Sequence, residues 1–358
     1  MGIRLKPEKP EKLPAEQLAQ DLTVIVPAYN EGASIADTVR SIQAQTVGIH
    51  EILVVDDCST DNTGDLARAC GATVLRPPVN TGSKAGAQNF ALEHVRTAFA
   101  MAIDADTTLA PDAIEKLLAA FDNPNVAAAC GFVLPRHVRS IWERGRFVEY
   151  LLAFTFYKPI QDYYQRPLIS SGCFSAYRTA MLREMGGWSN RTLAEDVDLT
   201  WRFYQQGYQV RFIPEAVCYP IEPHDFNFMR KQLRRWSHGF VQNVRLHWRG
   251  VLNVGYLRSA VAVAFWDATF ASLAYLVLLP LLTLFFMAPI FLLGYVLDAP
   301  AILVPVALAA VHHKQMRKAA GSLPAFFVLR IVNGFFLLEA LWNELFMGRP
   351  LLVYEKGH

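Results

Sequence analysis

Three short apolar runs constrain this chain more than anything else in it, because each stops abruptly at polar groups. Thr23-Val24-Ile25-Val26 runs into Pro27-Ala28-Tyr29-Asn30-Glu31-Gly32, Ile52-Leu53-Val54-Val55 into Asp56-Asp57, and Met101-Ala102-Ile103 into Asp104-Ala105-Asp106. Stretches of helical spacing lie between them. Unbroken apolar strands alternating with helices predict an α/β fold, a parallel sheet covered on both faces. Ligands of such sheets bind beyond the carboxyl ends of the strands. The Tyr29–Glu31 loop, Asp56-Asp57 and Asp104–Asp106 therefore converge on one crevice.

The segments between follow the same alternation. Ser34-Ile35-Ala36-Asp37 has capping-box spacing and predicts a helix to about Gln45. A helix through Asp65 to Ala69 leads to a strand at Thr73-Val74-Leu75. The loop Asn80-Thr81-Gly82-Ser83-Lys84-Ala85-Gly86-Ala87 enters a helix expected to end near Ala98, and Pro111 suits the first turn of the next helix. Val126 to Leu134 is a buried strand, Leu168 to Arg178 resumes the sheet, a helix begins in Leu193 to Arg202, and Val210 to Ile213 is a last strand. Ser140 to Tyr164 mixes eight aromatic residues with Arg144, Arg146 and Lys158. Two readings stay open there: a helix at a membrane surface, or a helix packed on the sheet with a few exposed aromatics.

Composition matters most at the C-terminal end. Of the 358 residues 53% are hydrophobic and 18% charged, where soluble domains carry about 25% charged residues; part of the chain is expected to meet lipid. Ser259 to about Phe286 is long enough to span, since about 20 apolar residues cross the hydrocarbon core. Pro289 to Val311 can return, interrupted at Asp298-Ala299-Pro300. Phe326 to Phe346 carries Arg330, Asn333, Glu339 and Glu344, so it either crosses or lies in the interface. Between Phe226 and Arg258 seven arginines and lysines occur with no acid, and His312 to Lys318 is again basic. Such tracts beside apolar spans read as cytoplasmic.

The net charge of +2 gives no reason to expect nucleic-acid binding. The five cysteines form no ligand-like cluster and are expected as reduced core residues. Met1 to Gln20 is polar, without the apolar core of a signal peptide, and reads as a flexible extension. The expected organisation is an extension over 1–20, a catalytic domain over 21–224, a basic interfacial segment over 225–258 and a membrane-associated region over 259–358.

The Asp104/Asp106 pair has a specific chemical use. Hard carboxylate oxygens suit Mg²⁺ or Mn²⁺, which proteins commonly hold with one or two carboxylates plus substrate phosphates. His224, in a loop, either approaches such an ion or has no catalytic part.

Taken together, Pro27-Ala28-Tyr29-Asn30-Glu31, Val54-Val55-Asp56-Asp57-Cys58-Ser59-Thr60-Asp61, Asp104-Ala105-Asp106, Glu195-Asp196 and Gln232-Leu233-Arg234-Arg235-Trp236 resemble the membrane-bound family 2 glycosyltransferases. The last two motifs resemble the branch with cellulose, chitin, hyaluronan and poly-N-acetylglucosamine synthases and ceramide glucosyltransferases. Two departures stand out: Cys58 occupies a usual glycine position, and Ser83 precedes Lys84 where glycine is common.

The resemblance implies a GT-A fold, Rossmann-like and mostly parallel, followed by C-terminal membrane helices. It implies that Pro27, Tyr29, Glu31, Asp56, Asp57, Lys84, Asp104, Asp106 and Arg235 bind the nucleotide sugar, a UDP sugar above all. Asp106, with Asp104, would carry the Mg²⁺ or Mn²⁺. Asp196 would be the general base beside Glu195, and Ser171, Gly172, Cys173, Gln232 and Trp236 would border the acceptor. The implied activity is inverting, metal-dependent transfer to a glycan or lipid-linked hydroxyl at the cytoplasmic face of a membrane, a bacterial inner membrane, with membrane lipid as a further partner. Alternatives are addition of one sugar to a membrane lipid, or a membrane-tethered nucleotide-sugar or glycan-binding subunit without catalysis.

Overall fold

The structure, a computed structural model, describes residues 14–351. Its strands are β1 (Leu22–Ala28), β2 (Glu51–Asp56), β3 (Thr73–Leu75), β4 (Phe99–Ile103), β5 (Thr107–Leu109), β6 (Val126–Val133), β7 (Phe174–Arg178) and β8 (Gln209–Pro220). They form one sheet in the order β3-β2-β1-β4-β7-β6-β8-β5. The apolar runs became β1, β2 and β4, paired in parallel around β1. Beyond β4 the sheet is mixed: β7 runs antiparallel to β4 and β6, and β5 antiparallel to β8. Burial on both faces makes parallel and antiparallel strands look alike in sequence, so the expected parallel character holds for one half only. The strand expected at Val210–Ile213 extends to Pro220 because β8 serves two neighbours, β6 and β5.

The helices are α1 (Ala15–Ala19), α2 (Ile35–Gln43), α3 (Thr63–Ala69), α4 (Lys84–Leu92), α5 (Ala113–Leu118), α6 (Ile141–Leu152) and α7 (Lys158–Tyr163). They continue as α8 (Thr179–Glu184), α9 (Glu195–Gln205), α10 (Phe226–Leu252), α11 (Gly255–Leu273), α12 (Leu279–Phe286), α13 (Ala299–His312) and α14 (Met316–Leu341). One sheet face is covered by Val39 and Ile42 of α2, Ile114 and Leu117 of α5, and Phe147 and Leu151 of α6. Ala87 and Ala91 of α4 and Val197, Trp201 and Phe203 of α9 cover the other.

Several local expectations change. Ser34 makes no capping box; its hydroxyl donates to Glu31, which competes for it. A capping box does form at Ser140 and Glu143, where α6 begins. Pro111 lies before the N-cap Asp112 rather than inside α5, and α4 ends at Leu92, short of Ala98, because the chain must turn into β4. Ala15–Ala19 of the expected flexible extension is helical, with Ala19 buried; residues 1–13 lie outside the described residues. Of the cysteines, Cys130 and Cys218 are buried and Cys58, Cys70 and Cys173 are half-buried, all free.

Ser140 to Tyr164 is a packed helix with an exposed aromatic edge. A π-helical turn at Ala153–Tyr157 joins α6 to α7. Arg146, Phe147, Leu151, Phe154 and Lys158 point inward, while Phe156, Tyr157, Ile160, Tyr163 and Tyr164 are exposed. Of the three cations read there, Arg144 is exposed, while Arg146 and Lys158 are buried, each held by partners described below.

Three helical stretches are long and apolar enough to cross a membrane: Gly255–Phe286, Pro289–His312 and Met316–Phe346. The second is a 3-10 segment, Pro289–Val296, followed by α13, broken where the sequence placed an interruption at Asp298. The third differs from the others, with 44% of its apolar window buried against 6% and 11%. Its polar residues face protein: Asn333 donates to Glu149 at 2.9 Å, Glu339 accepts from Arg234 at 2.9 Å, and Glu344 meets His238 at 2.7 Å. Ile302, Val306 and Ala309 of α13 and Phe326 of α14 join the same core as the sheet.

Candidate active site

Lys84 brings the end of β4 and the start of α9 together. Ser83 caps α4, its hydroxyl accepting from Gly86 N–H at 3.0 Å; a serine in the common glycine position is thus a favourable N-cap. Lys84 opens the helix. Its ammonium is paired with Asp104, lies 3.7 Å from Glu195 Oε1, and donates to Gly172 O at 3.0 Å. One cation therefore bridges the end of β4, the start of α9 and the Ser171–Cys173 loop.

Asp196, partly exposed at the start of α9, accepts from Gly172 N–H at 2.9 Å through Oδ2 and from Val197 N–H at 2.9 Å through Oδ1. Gly172 must be small: a Cβ there would lie 3.0 Å from Asp196 Oδ2 and 3.3 Å from Lys84 Nζ. Asp104 N–H donates to Cys173 O at 3.3 Å, which closes the loop onto β4. Burial pushes the Glu195 carboxyl up; Lys84 opposes that, Asp196 reinforces it, and Arg235 of α10 opposes it.

The second wall is built from turns. Asp57 is buried and accepts from both Thr81 N–H (2.8 Å) and Thr81 Oγ1 (2.9 Å), tying the β2 end to the loop before Lys84. Asp56 points elsewhere: it accepts from Ser59 N–H at 2.9 Å and pairs with Arg76 at 2.6 Å. It anchors the turn, and a Cβ on Gly64 would come within 2.6 Å of it. Cys58 has φ 63°, the left-handed region that favours glycine, so the family's usual glycine there is a backbone requirement that this chain meets under strain. Tyr29 is 40% exposed above this wall, Pro27 lies in β1, and Glu31 is buried, accepting from Ser34 at 2.9 Å. Asp106, partly exposed, accepts from Thr107 Oγ1 at 3.2 Å and has Arg136 near it.

Of the residues expected to border the acceptor, Gln232 and Trp236 meet at Arg146, apart from Ser171 and Gly172. Gln232 accepts from Arg146 at 2.7 Å, and the Arg146 guanidinium lies 4.5 Å from the centre of the Trp236 ring. Ser171 accepts from the buried Lys158 at 2.6 Å. His224 is well exposed and pairs with Asp225 at 3.3 Å.

Arg136, Arg146, Lys158 and Glu222 went unrecognised as site residues from sequence. The signal available for Arg146 and Lys158 was a cation on the apolar face of a helix, which aromatic composition masked. Glu222 gave none, since its partners are far away in the chain.

Among the described residues no three His, Cys, Asp or Glu side chains gather into a metal cage. Asp104 and Asp106 nevertheless suit a hard divalent ion, whose remaining positions phosphate oxygens and water normally fill.

Known proteins resemble this chain in sequence and in fold. A family model described as glycosyl transferase family group 2 matches residues 100–299. Poly-beta-1,6-N-acetyl-D-glucosamine synthase of Staphylococcus epidermidis is 26% identical over 228 residues, 62% of this chain and 55% of its own length. That of Staphylococcus aureus (strain COL) is 25% identical over 241 residues, 66% of this chain and 58% of its own. The chain thus spans little more than half the length of these curated relatives. The mannosyltransferase PcManGT from Pyrobaculum calidifontis, solved with GDP-Man and Mn2+, shares the fold, with a TM-score of 0.59 at 20% identity over 91% of this chain and 87% of its own.

Proposed function

The chain belongs to glycosyl transferase family group 2, and we propose that it transfers a sugar, with inversion, from a UDP sugar to a hydroxyl of a glycan or lipid-linked acceptor. The observation that carries this is the Lys84 bridge, which places Asp104 and Glu195 on one ammonium and Asp196 one hydrogen bond further on. Likeness to poly-beta-1,6-N-acetyl-D-glucosamine synthases makes N-acetylglucosamine the first sugar to test.

The chemistry assigns a task to each group. An acceptor hydroxyl attacks the anomeric carbon, the bond to the diphosphate oxygen breaks, and its electron pair leaves with the nucleoside diphosphate. A sugar hydroxyl is a poor nucleophile at neutral pH, so Asp196 takes its proton as the new bond forms. Arg235 and Lys84 offset charge on the departing diphosphate, where preorganised cations act most strongly. Attack opposite the leaving group inverts the anomeric centre, and an α-linked donor gives a β-linked product. Asp104 and Asp106 would hold Mg²⁺ or Mn²⁺, which supplies Lewis-acid stabilisation of the phosphates when bound. Asp57 and Tyr29 line the nucleotide end, with Asp56 supporting the turn beneath them.

The full-length protein incubated with UDP-N-acetylglucosamine and an acceptor glycan is expected to release UDP only when Mg²⁺ or Mn²⁺ is supplied, and to stop when EDTA is added. Unchanged release in EDTA would remove the metal from this proposal. UDP binding without turnover across a panel of UDP and GDP sugars would leave only a binding subunit.

For the membrane, we propose two crossings, Gly255–Phe286 and Pro289–His312, with α14 lying along the catalytic part. The basic loop after α13 supports this: His313 packs 4.9 Å from Phe132, and Lys318 sits 5.5 Å from the Phe147 ring. Two crossings return the chain to the side it left. Positive loops mark that side as cytoplasmic, in a bacterial inner membrane. A cysteine placed at Arg317 should react with a membrane-impermeant maleimide in inside-out vesicles, above the background of the native thiols. Reaction only in right-side-out vesicles would overturn the topology.

A further inference from the structure

Arg146 is 1% exposed, yet it is the centre of a polar cluster away from Lys84. One guanidinium edge pairs with Glu149, another donates to Gln232 at 2.7 Å and approaches Met229 Sδ at 3.5 Å, and Nε lies 3.6 Å from Glu222. Its flat face rests on the Trp236 ring. Glu222 is itself buried and accepts from Tyr150 OH at 2.8 Å. Burial pushes its carboxyl up, and Arg146 and Tyr150 pull it down.

The cluster also reaches the apolar tail. Glu149 accepts from Asn333 of α14 at 2.9 Å. One residue before Arg146, Gly145 lets α6 sit directly on α14: a Cβ there would lie 3.0 Å from both Ala325 O and Leu329 Cβ. Burying a cation with two carboxylates is a weak route to stability, because desolvation offsets much of the attraction. It is effective at fixing orientation, since a planar fork with an aromatic face admits one arrangement of its partners, which an ammonium does not impose.

We propose that Arg146 is the positioning residue of the acceptor side: it fixes Gln232 and the Trp236 ring in the orientation that receives the acceptor, and through Glu149 and Asn333 ties that orientation to α14. This rests on the proposed function, in which Gln232 and Trp236 border the acceptor. Arg146 itself stays behind them and touches no substrate. Its loss should therefore change acceptor recognition and leave donor recognition alone.

The test uses the full-length protein in detergent or nanodiscs, with UDP-N-acetylglucosamine and a short β-1,6-linked N-acetylglucosamine oligosaccharide as probes. Arg146→Met should raise the acceptor KM by about tenfold or more while the donor KM stays within about twofold. Arg146→Lys should recover part of that loss. The double variant Arg146→Met/Trp236→Leu should be little worse than Trp236→Leu alone, because residues acting as a unit are not additive. Should Arg146→Met fail to fold, Arg146→Lys and the milder Asn333→Ala carry the test, each raising the acceptor KM alone. Donor and acceptor KM rising together, acceptor KM unmoved in these variants, or effects of Arg146 and Trp236 that multiply would each overturn the inference. A wild-type protein that transfers no sugar of the UDP and GDP panel to the oligosaccharide or to membrane lipid would instead overturn the proposed function, and this inference with it.

Discussion

Asp196→Asn is expected to lower transfer by roughly 10²–10⁴-fold, the range that general-base assistance supplies, while UDP binding measured by calorimetry stays unchanged. The competing account is structural. Asp196 starts α9, where a carboxylate is stabilised by the helix dipole by about 0.3–1 kcal/mol, and it accepts from Gly172 and Val197 N–H groups. Asparagine keeps the size but offers one oxygen for two N–H groups, so a modest fall in melting temperature should accompany the variant. Lost stability of that size leaves most molecules folded and costs little turnover. A hundredfold loss with nucleotide binding intact is therefore a chemical effect, and full activity would place the base elsewhere.

Lys84→Met should also be strongly damaging, because it removes one cation from three elements. Asp104 loses its partner, Gly172 O loses its donor, and the buried Glu195 loses the nearest charge that favours its ionised form. Activity should fall by about a hundredfold or more, through both donor binding and turnover.

The pH dependence has a definite sign. The folded carboxyl of Glu195 already titrates above its unfolded value, so the stability its protonated form contributes is full below the unfolded value and lost as pH rises through the folded one. Removing Lys84 pushes the folded value higher. The variant should thus lose more stability, relative to wild type, at about pH 8 than at about pH 5 in thermal unfolding. An equal deficit at both would mean that Lys84 does not govern the Glu195 proton.

Much of the candidate site was legible because strand ends carry their own signal. Apolar runs stopping at Asp57 and at Asp104–Asp106 became β2 and β4 with their carboxyl ends on one crevice. The Glu195-Asp196 motif fell on the start of α9 and Gln232-Leu233-Arg234-Arg235-Trp236 inside α10, as local pattern allows. Asp56 and Asp57 show the limit. Adjacent carboxylates are equivalent in sequence, yet alternation along a strand end sends one to Arg76 and the other to Thr81.

The chain by itself determined the α/β alternation, the apolar tail and the carboxylates at the crevice, since these depend on periodicity and residue type within a few positions. Tertiary structure decided what depends on partners far apart in the chain. Lys84 became a bridge only when Asp104, Gly172 and Glu195 closed around it. Arg146 was buried only when α6, α10 and α14 met. The polar residues that argued against Phe326 to Phe346 as an apolar helix proved to face Glu149, Arg234, His238 and Asp298. A charge in an apolar stretch costs much without a partner and little with one, and the partner is a property of the fold.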